Sequence, residues 1–154
     1  MKVVILAGGY GTRLSEETKE VPKPMVKIGS MPIIWHIIKH YSHYGFNDFI
    51  IAANHQNNSL IMKKFFYDLM NLQEDISLDF SSKSTSFINH KNNKWNIKII
   101  DTGSDTETAG RIFKLKSYIG NERFLVTYGD GVSDLNLNDL IKTHESKKGI
   151  ATLT

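Results

Sequence analysis

Val3-Val4-Ile5-Leu6-Ala7 is an unbroken apolar run that ends directly in Gly8-Gly9-Tyr10-Gly11-Thr12-Arg13-Leu14. A strand with one wet face alternates apolar and polar residues. A run that is apolar throughout is a strand buried on both faces, as in the parallel sheets of α/β proteins. The run is too short to span a bilayer, and it ends in glycines rather than a cleavage site. It is therefore read as a core strand, neither a membrane span nor a signal peptide.

The rest of the chain repeats the theme. Gly8 to Pro24 is a long loop, and loops of that length in compact domains are usually functional. A helix is predicted from Pro32 to Tyr44, where Ile33, Ile34, Ile37, Ile38, Tyr41 and Tyr44 recur at helical spacing and Gly45 stops it. Asp48 to Ala53 reads as a second buried strand. Asn58 to Leu72 reads as a helix with Leu60, Ile61, Phe65, Leu69 and Leu72 on one side. Ser81 to Asn96 is polar and reads as a surface excursion. Ile97 to Ile100 is a strand, Asp101 to Thr108 a polar loop and Ala109 to Tyr118 a helix. Phe124 to Tyr128 is another buried strand, closed by Gly129-Asp130-Gly131. Leu137 to Lys148 is a helix, and Ile150 to Leu153 begins a further strand. Alternating strands and helices imply an α/β fold: a three-layer, Rossmann-like domain, 1–154, on a mainly parallel sheet. In such sheets ligands bind beyond the carboxyl ends of the strands. The loops after Ala7 and after Tyr128 lie there.

Composition narrows the partners. The 154 residues carry 19 basic and 16 acidic side chains, a formal charge of +3, and no cysteine. Disulfides and thiolate metal sites are excluded, which suits a reducing cytoplasm. The basic residues are scattered rather than clustered, so no nucleic-acid surface and no membrane partner is expected.

Glycines after a strand let backbone N–H groups surround phosphate oxygens, and Arg13 adds a fork able to hold phosphate bidentately. The loop is neither a dinucleotide fingerprint, since Leu14 stands where a third glycine is needed, nor a Walker loop, since Gly-Lys-Ser/Thr is absent. In Pro22-Lys23-Pro24-Met25 two prolines restrict the backbone around one lysine and aim it. Gly129-Asp130-Gly131 is good turn chemistry, and equally leaves a carboxylate open for a ligand. A simple turn stays open for it on the residues alone.

The glycine loop, Arg13, Pro-Lys-Pro-Met and Gly-Asp-Gly together resemble the sugar-1-phosphate nucleotidyltransferases, also called sugar-nucleotide pyrophosphorylases. Leu14-Ser15-Glu16-Glu17-Thr18, Pro32-Ile33-Ile34-Trp35-His36-Ile37, Asp101-Thr102-Gly103 and Thr127-Tyr128-Gly129-Asp130-Gly131-Val132 are similar in particular to those transferring a cytidylyl group to glucose 1-phosphate. The resemblance runs the length of the chain. It implies that Leu6, Ala7, Gly8, Gly9, Tyr10, Gly11 and Thr12 hold base, ribose and phosphates, and that Gly129 and Asp130 also bind the nucleotide. Arg13 and Lys23 become the catalytic cations, at the triphosphate and at the α-phosphate. The loop Thr102 to Gly110, with Gly103, Ser104 and Gly110, closes over base or ribose. Arg111 becomes a second phosphate-facing arginine, and Asp130 a ligand of Mg2+. The substrates implied are CTP and a sugar 1-phosphate, and the product CDP-glucose for bacterial surface-polysaccharide (O-antigen) synthesis. Sheet left uncovered at the truncated end favours association, so a homo-oligomer is expected.

Tyr10 stands where the family carries an aliphatic residue, and Ala109 where it carries a glycine. The resemblance also implies a region beyond position 154 with a second magnesium aspartate and most sugar contacts, so the domain is expected to be truncated at its C-terminus. A non-catalytic nucleotide-binding or regulatory module, or a thymidylyl, uridylyl or guanylyl transferase, remains an alternative. His36, His40 and His43 share a helix face at i, i+4 and i+7; that spacing can bind zinc, but a solvated polar face is the simpler reading.

Overall fold

The computed structural model describes residues 1–8, 21–54, 57–72, 75–88 and 94–154. Its centre is a four-stranded sheet of β1 (Lys2–Ala7), β4 (Asp48–Ala53), β7 (Asn96–Asp101) and β8 (Phe124–Tyr128), in spatial order β7-β4-β1-β8. Every pairing is parallel: Ile5 lies opposite Ile51 on one side and Thr127 on the other, and Ile51 opposite Ile99. The chain builds outward from β1 through β4 to β7, then returns to the opposite side of β1. The order therefore reverses between β1 and β8, and crevices at such reversals take ligands in open α/β sheets.

Both faces of β1 are covered. Val3, Ile5 and Ala7 pack with Phe49, Ile51 and Ala53 against Ile34, Ile37 and Ile38 of α1 (Ile33–His43) and Met62 of α2 (Asn57–Leu72). Val4 and Leu6 pack with Ile50 and Ala52 against Leu115 and Ile119, beside α3 (Thr108–Lys114) and on α4 (Lys116–Ile119). This is the expected three-layer arrangement on a parallel sheet.

Smaller features hold the connections. The turn Lys23–Met25 and the two-residue strands β2 (Lys27–Ile28) and β3 (Met31–Pro32) lead into α1, which starts at Ile33. Gly45, at φ +88°, ends α1 in the left-handed region that glycine occupies without strain. The Trp95 indole N–H donates to Ser42 Oγ (3.0 Å), which donates to Asn47 (2.7 Å), tying the end of α1 to the start of β7. Asn136 caps α5 (Leu137–Lys147) by accepting from the N–H groups of Asn138 and Asp139.

Several expectations are corrected. Phe124 to Tyr128 was expected to be buried on both faces, but β8 is an edge strand with Val126 and Tyr128 exposed. Ala109 to Tyr118 is two short helices broken at Leu115. Within the polar excursion, β6 (Ser84–Ile88) pairs antiparallel with β5 (Asp75–Asp79) outside the main sheet. Its turn is organised by Asp79, whose carboxylate accepts from Ser81 N (2.8 Å), Ser81 Oγ (2.6 Å) and Ser82 Oγ (2.6 Å); these bonds hold the carboxyl well below the usual carboxylate range. Residues 150–153 form no strand, because an apolar pattern states a preference and a ladder also needs an adjacent partner. His40 is not a solvated side chain: its ring packs edge-on against Tyr41 and Tyr44, and its Nε2 is buried. Leu60, placed on the core side by spacing, is 64 % exposed.

Burial sets an expected contrast. Ile51→Ala, at a fully buried position in β4, should cost about 2–5 kcal/mol in urea unfolding. Leu60→Ala should stay within about 0.5 kcal/mol. A comparable cost for the two would contradict this core.

Candidate nucleotide site at the strand reversal

A cleft of about 790 Å³ opens at the carboxyl ends of β1 and β8 and is walled on one side by the loop that follows β7. Leu6, Ala7 and Gly8 form its floor, Lys23 and Asp130 face it, and Ser104 and Arg111 lie on the loop side. The expected residues Gly9, Tyr10, Gly11, Thr12 and Arg13 lie outside the described residues. Gly103, Gly110 and Gly129 are not among the residues that line the cleft.

Lys23 is aimed by its prolines as the sequence suggests. Pro22 is extended (φ −62°, ψ 142°), and the turn closes through Met25 N–H to Pro22 O (2.7 Å) and Val26 N–H to Lys23 O (3.1 Å). Pro24 is buried against Gly129: a Cβ built on Gly129 would sit 3.1 Å from Pro24 Cγ and 3.3 Å from Ala7 Cβ. Gly129 N–H donates to Leu6 O (2.9 Å), continuing the β1–β8 ladder one residue further. Glycine at 129 thus lets the Lys23 turn lie directly on the end of β8. Lys23 Nζ comes 3.9 Å from Asp130 Oδ2, with the two side chains 21 % and 43 % exposed. A pair that long and that wet contributes little to stability. Either group can take a ligand partner at small cost.

Arg111 stands on the loop side of the cleft. It is buried, and its guanidinium donates to oxygens from three separate segments. Nη1 reaches Thr102 Oγ1 (2.6 Å), Gly103 O (3.0 Å) and Ala53 O (3.4 Å); Nη2 reaches Gly8 O (2.8 Å) and Ser104 O (3.3 Å). A buried guanidinium is costly unless its N–H groups are bonded. The loop carbonyls supply those bonds. The guanidinium also fills the space over Gly8, where an added Cβ would collide with it.

Three residues make contacts that the sequence does not announce. Thr102, buried, donates its hydroxyl to Ala53 O (2.8 Å) and fastens the loop to the end of β4. Lys114 Nζ donates to Thr102 O (2.8 Å) and Thr106 Oγ1 (2.7 Å), bracing the loop from outside. Tyr128 stands exposed at the cleft edge. A threonine in a polar loop or a lysine at a helix end gives no pattern that separates an anchor from a solvated residue. Gly103 is at φ +85°, where glycine is needed, and Gly110 packs on α3 against the Thr106 methyl, which an added Cβ would approach to 2.9 Å. Behind β8, burial pushes the Tyr41 phenol up, more than its bond with Thr127 lowers it, so it stays neutral.

The sequence and fold have relatives. The family model described as nucleotidyl transferase matches residues 2–154. The Bacillus subtilis protein named probable glucose-1-phosphate cytidylyltransferase is 44 % identical over 154 residues, covering 100 % of this chain and 59 % of that one. The Salmonella typhimurium glucose-1-phosphate cytidylyltransferase is 42 % identical over 155 residues, covering 100 % of this chain and 60 % of its own length. This chain thus spans about three fifths of the length of these relatives. The crystal structure of HddC from Yersinia pseudotuberculosis complexed with GMP-PN superposes with a TM-score of 0.68 at 24 % identity, over 93 % of this chain and 53 % of that one. That likeness bears on the fold alone.

The two glycines nearest the charged groups should respond differently to a methyl group. Gly8→Ala drives a Cβ into the Arg111 guanidinium and should cost about 1–3 kcal/mol in urea unfolding. Gly131→Ala meets nothing within 4 Å and should stay within about 0.5 kcal/mol. Equal effects would count against the packing of Arg111 over Gly8.

Proposed function

Because this chain belongs to the nucleotidyl transferase family, we propose that it holds the nucleotide end of an enzyme joining CTP and glucose 1-phosphate to give CDP-glucose and pyrophosphate. The observation that carries the reading is the pairing of Lys23 and Asp130 across a cleft at the strand reversal. One weakly held cation and one exposed carboxylate stand where a parallel sheet receives phosphates. The cytidylyl group and the glucose 1-phosphate rest on the 44 % and 42 % identity to relatives bearing those names. A role in surface-polysaccharide synthesis follows as part of the same proposal.

In the reaction a phosphate oxygen of the sugar 1-phosphate attacks the α-phosphorus of CTP. The new O–P bond forms as the bond to the β-phosphate oxygen breaks, and pyrophosphate leaves with that electron pair. The nucleophile is already anionic, so no strong base is required. The obstacle is the approach of two anions, and alignment with charge neutralisation lowers it. Lys23 is placed to offset charge at the α-phosphate. Its ammonium can leave Asp130 for a phosphate oxygen because their 3.9 Å contact is weak. Arg13 is assigned to the departing pyrophosphate. Leu6, Ala7 and Gly8 offer the backbone floor on which a nucleotide can lie.

Asp130 suits Mg2+ by its donor type: a hard carboxylate, 43 % exposed, tied only to Lys23 at long range among the described residues. Mg2+ takes one or two carboxylates together with phosphates and water. When bound, it would supply charge neutralisation at the phosphates.

CTP should bind more tightly than UTP, dTTP or GTP in calorimetric titration with Mg2+, and a clear preference for dTTP would move the assignment to thymidylyl transfer. Arg13→Ala should weaken CTP much more than CMP, by about 1.5–3 kcal/mol for each charge-assisted hydrogen bond that the substitution removes. Asp130→Asn should leave ligand-free thermal stability unchanged and abolish most of the extra thermal shift that CTP gains from Mg2+. Matching shifts for the two proteins would leave Asp130 as a turn residue.

A further inference from the structure

We propose that Arg111 is a positioning residue that builds the nucleoside end of the cleft before any ligand arrives, rather than a contact to phosphate. The ligand part of this inference rests on the function proposed above. Its structural part stands on the ligand-free geometry alone.

A guanidinium carries five N–H donors in a rigid fork, four of them on the terminal nitrogens. Here, among the described residues, the terminal nitrogens serve five oxygens: Gly8 O at the end of β1, Ala53 O at the end of β4, and Thr102 Oγ1, Gly103 O and Ser104 O in the loop after β7. A phosphate reaching these donors would displace carbonyls that then lose their partners in a buried setting, which is unfavourable. The acceptors come from three strand ends that are far apart in sequence and adjacent only in the folded sheet. One side chain therefore sets the spacing between the β1 floor and the loop wall.

Independent features agree. Thr102 Oγ1 accepts from Arg111 and donates to Ala53 O, so loop and β4 are joined directly and through the arginine. Lys114 and Thr106 bond Thr102 O from the outer side at 2.8 and 2.7 Å. Gly103, in the left-handed region, turns the chain so that its own carbonyl and that of Ser104 both meet the guanidinium. The absence of a side chain at Gly8 is accounted for by the arginine lying over it. The loop that the resemblance implies closes over the nucleoside is held in place from behind.

The test uses the whole chain with Arg111→Lys, Arg111→Gln and Thr102→Val. Thr102→Val removes one acceptor of the arginine, together with the hydroxyl's own bond to Ala53 O, and no charge; it serves if the arginine variants do not fold. In the ligand-free protein, amide hydrogen exchange should speed up together near Gly8, near Asn54 and through 102–106, while the centres of β1 and β4 keep their protection. Titration with cytidine, CMP and CTP plus Mg2+ should show all three weakened by one common factor, on the order of tenfold for either arginine variant (about 1.4 kcal/mol) and smaller for Thr102→Val. Lysine should not rescue, because an ammonium cannot span the five oxygens. Three results would overturn the proposal: unchanged exchange in those segments, a loss that grows from cytidine through CMP to CTP, or recovery of CTP binding with lysine. Failure of the wild-type chain to bind any cytidine ligand would instead defeat the proposed function, and the exchange result would still decide the role of Arg111.

Discussion

A strand with no wet face leaves the chain few options. β1 is paired on both edges and packed on both faces, so its only open direction is along its own axis, at Gly8. Everything that can meet a ligand must therefore gather at that end. The reversal of strand order between β1 and β8 keeps the crossover connections from converging there. The cleft is in this sense a consequence of burying Val3 to Ala7, and the polar groups around it are arranged to suit that exit.

The two kinds of cation at the cleft are held in opposite ways. Lys23 is fixed through its backbone, by prolines and by the contact of Pro24 with Gly129, while its ammonium stays partly wet and weakly paired. Arg111 is fixed through its charged end, which is buried among carbonyls. Backbone anchoring leaves a charge available for exchange with a ligand. Head-group anchoring commits the charge to architecture. The distinction separates a side chain suited to phosphate from one suited to holding loops apart, although both are basic residues beside the same floor.

Much of the fold is legible in the sequence where the local pattern and the global environment agree. β1, β4 and α1 carry long runs whose burial is continuous or periodic, and their expected bounds differ from the observed ones by a residue or so. The aiming of Lys23 is legible because proline restricts the backbone wherever it stands. The pattern misleads where it cannot report a neighbour. Phe124 to Tyr128 is as apolar as a central strand, but the face that carries Val126 and Tyr128 is open, so alternate residues are exposed. Leu60 fits a helical stripe, yet α2 presents that position to solvent. The β5–β6 hairpin has short, polar strands, and its turn depends on Asp79 accepting from two serines that spacing does not mark.

The sequence by itself determined the layered α/β class and the strand that feeds the cleft, because each follows from residues close together in the chain, and the resemblance pointed to Lys23 and Asp130, which line that cleft. Only the tertiary structure shows where the Arg111 guanidinium lies. Its partners at Gly8, Ala53 and Thr102 to Ser104 become neighbours when parallel strands stack their ends side by side, and five carbonyl and hydroxyl oxygens then converge on a side chain that the linear sequence shows only as one more positive charge.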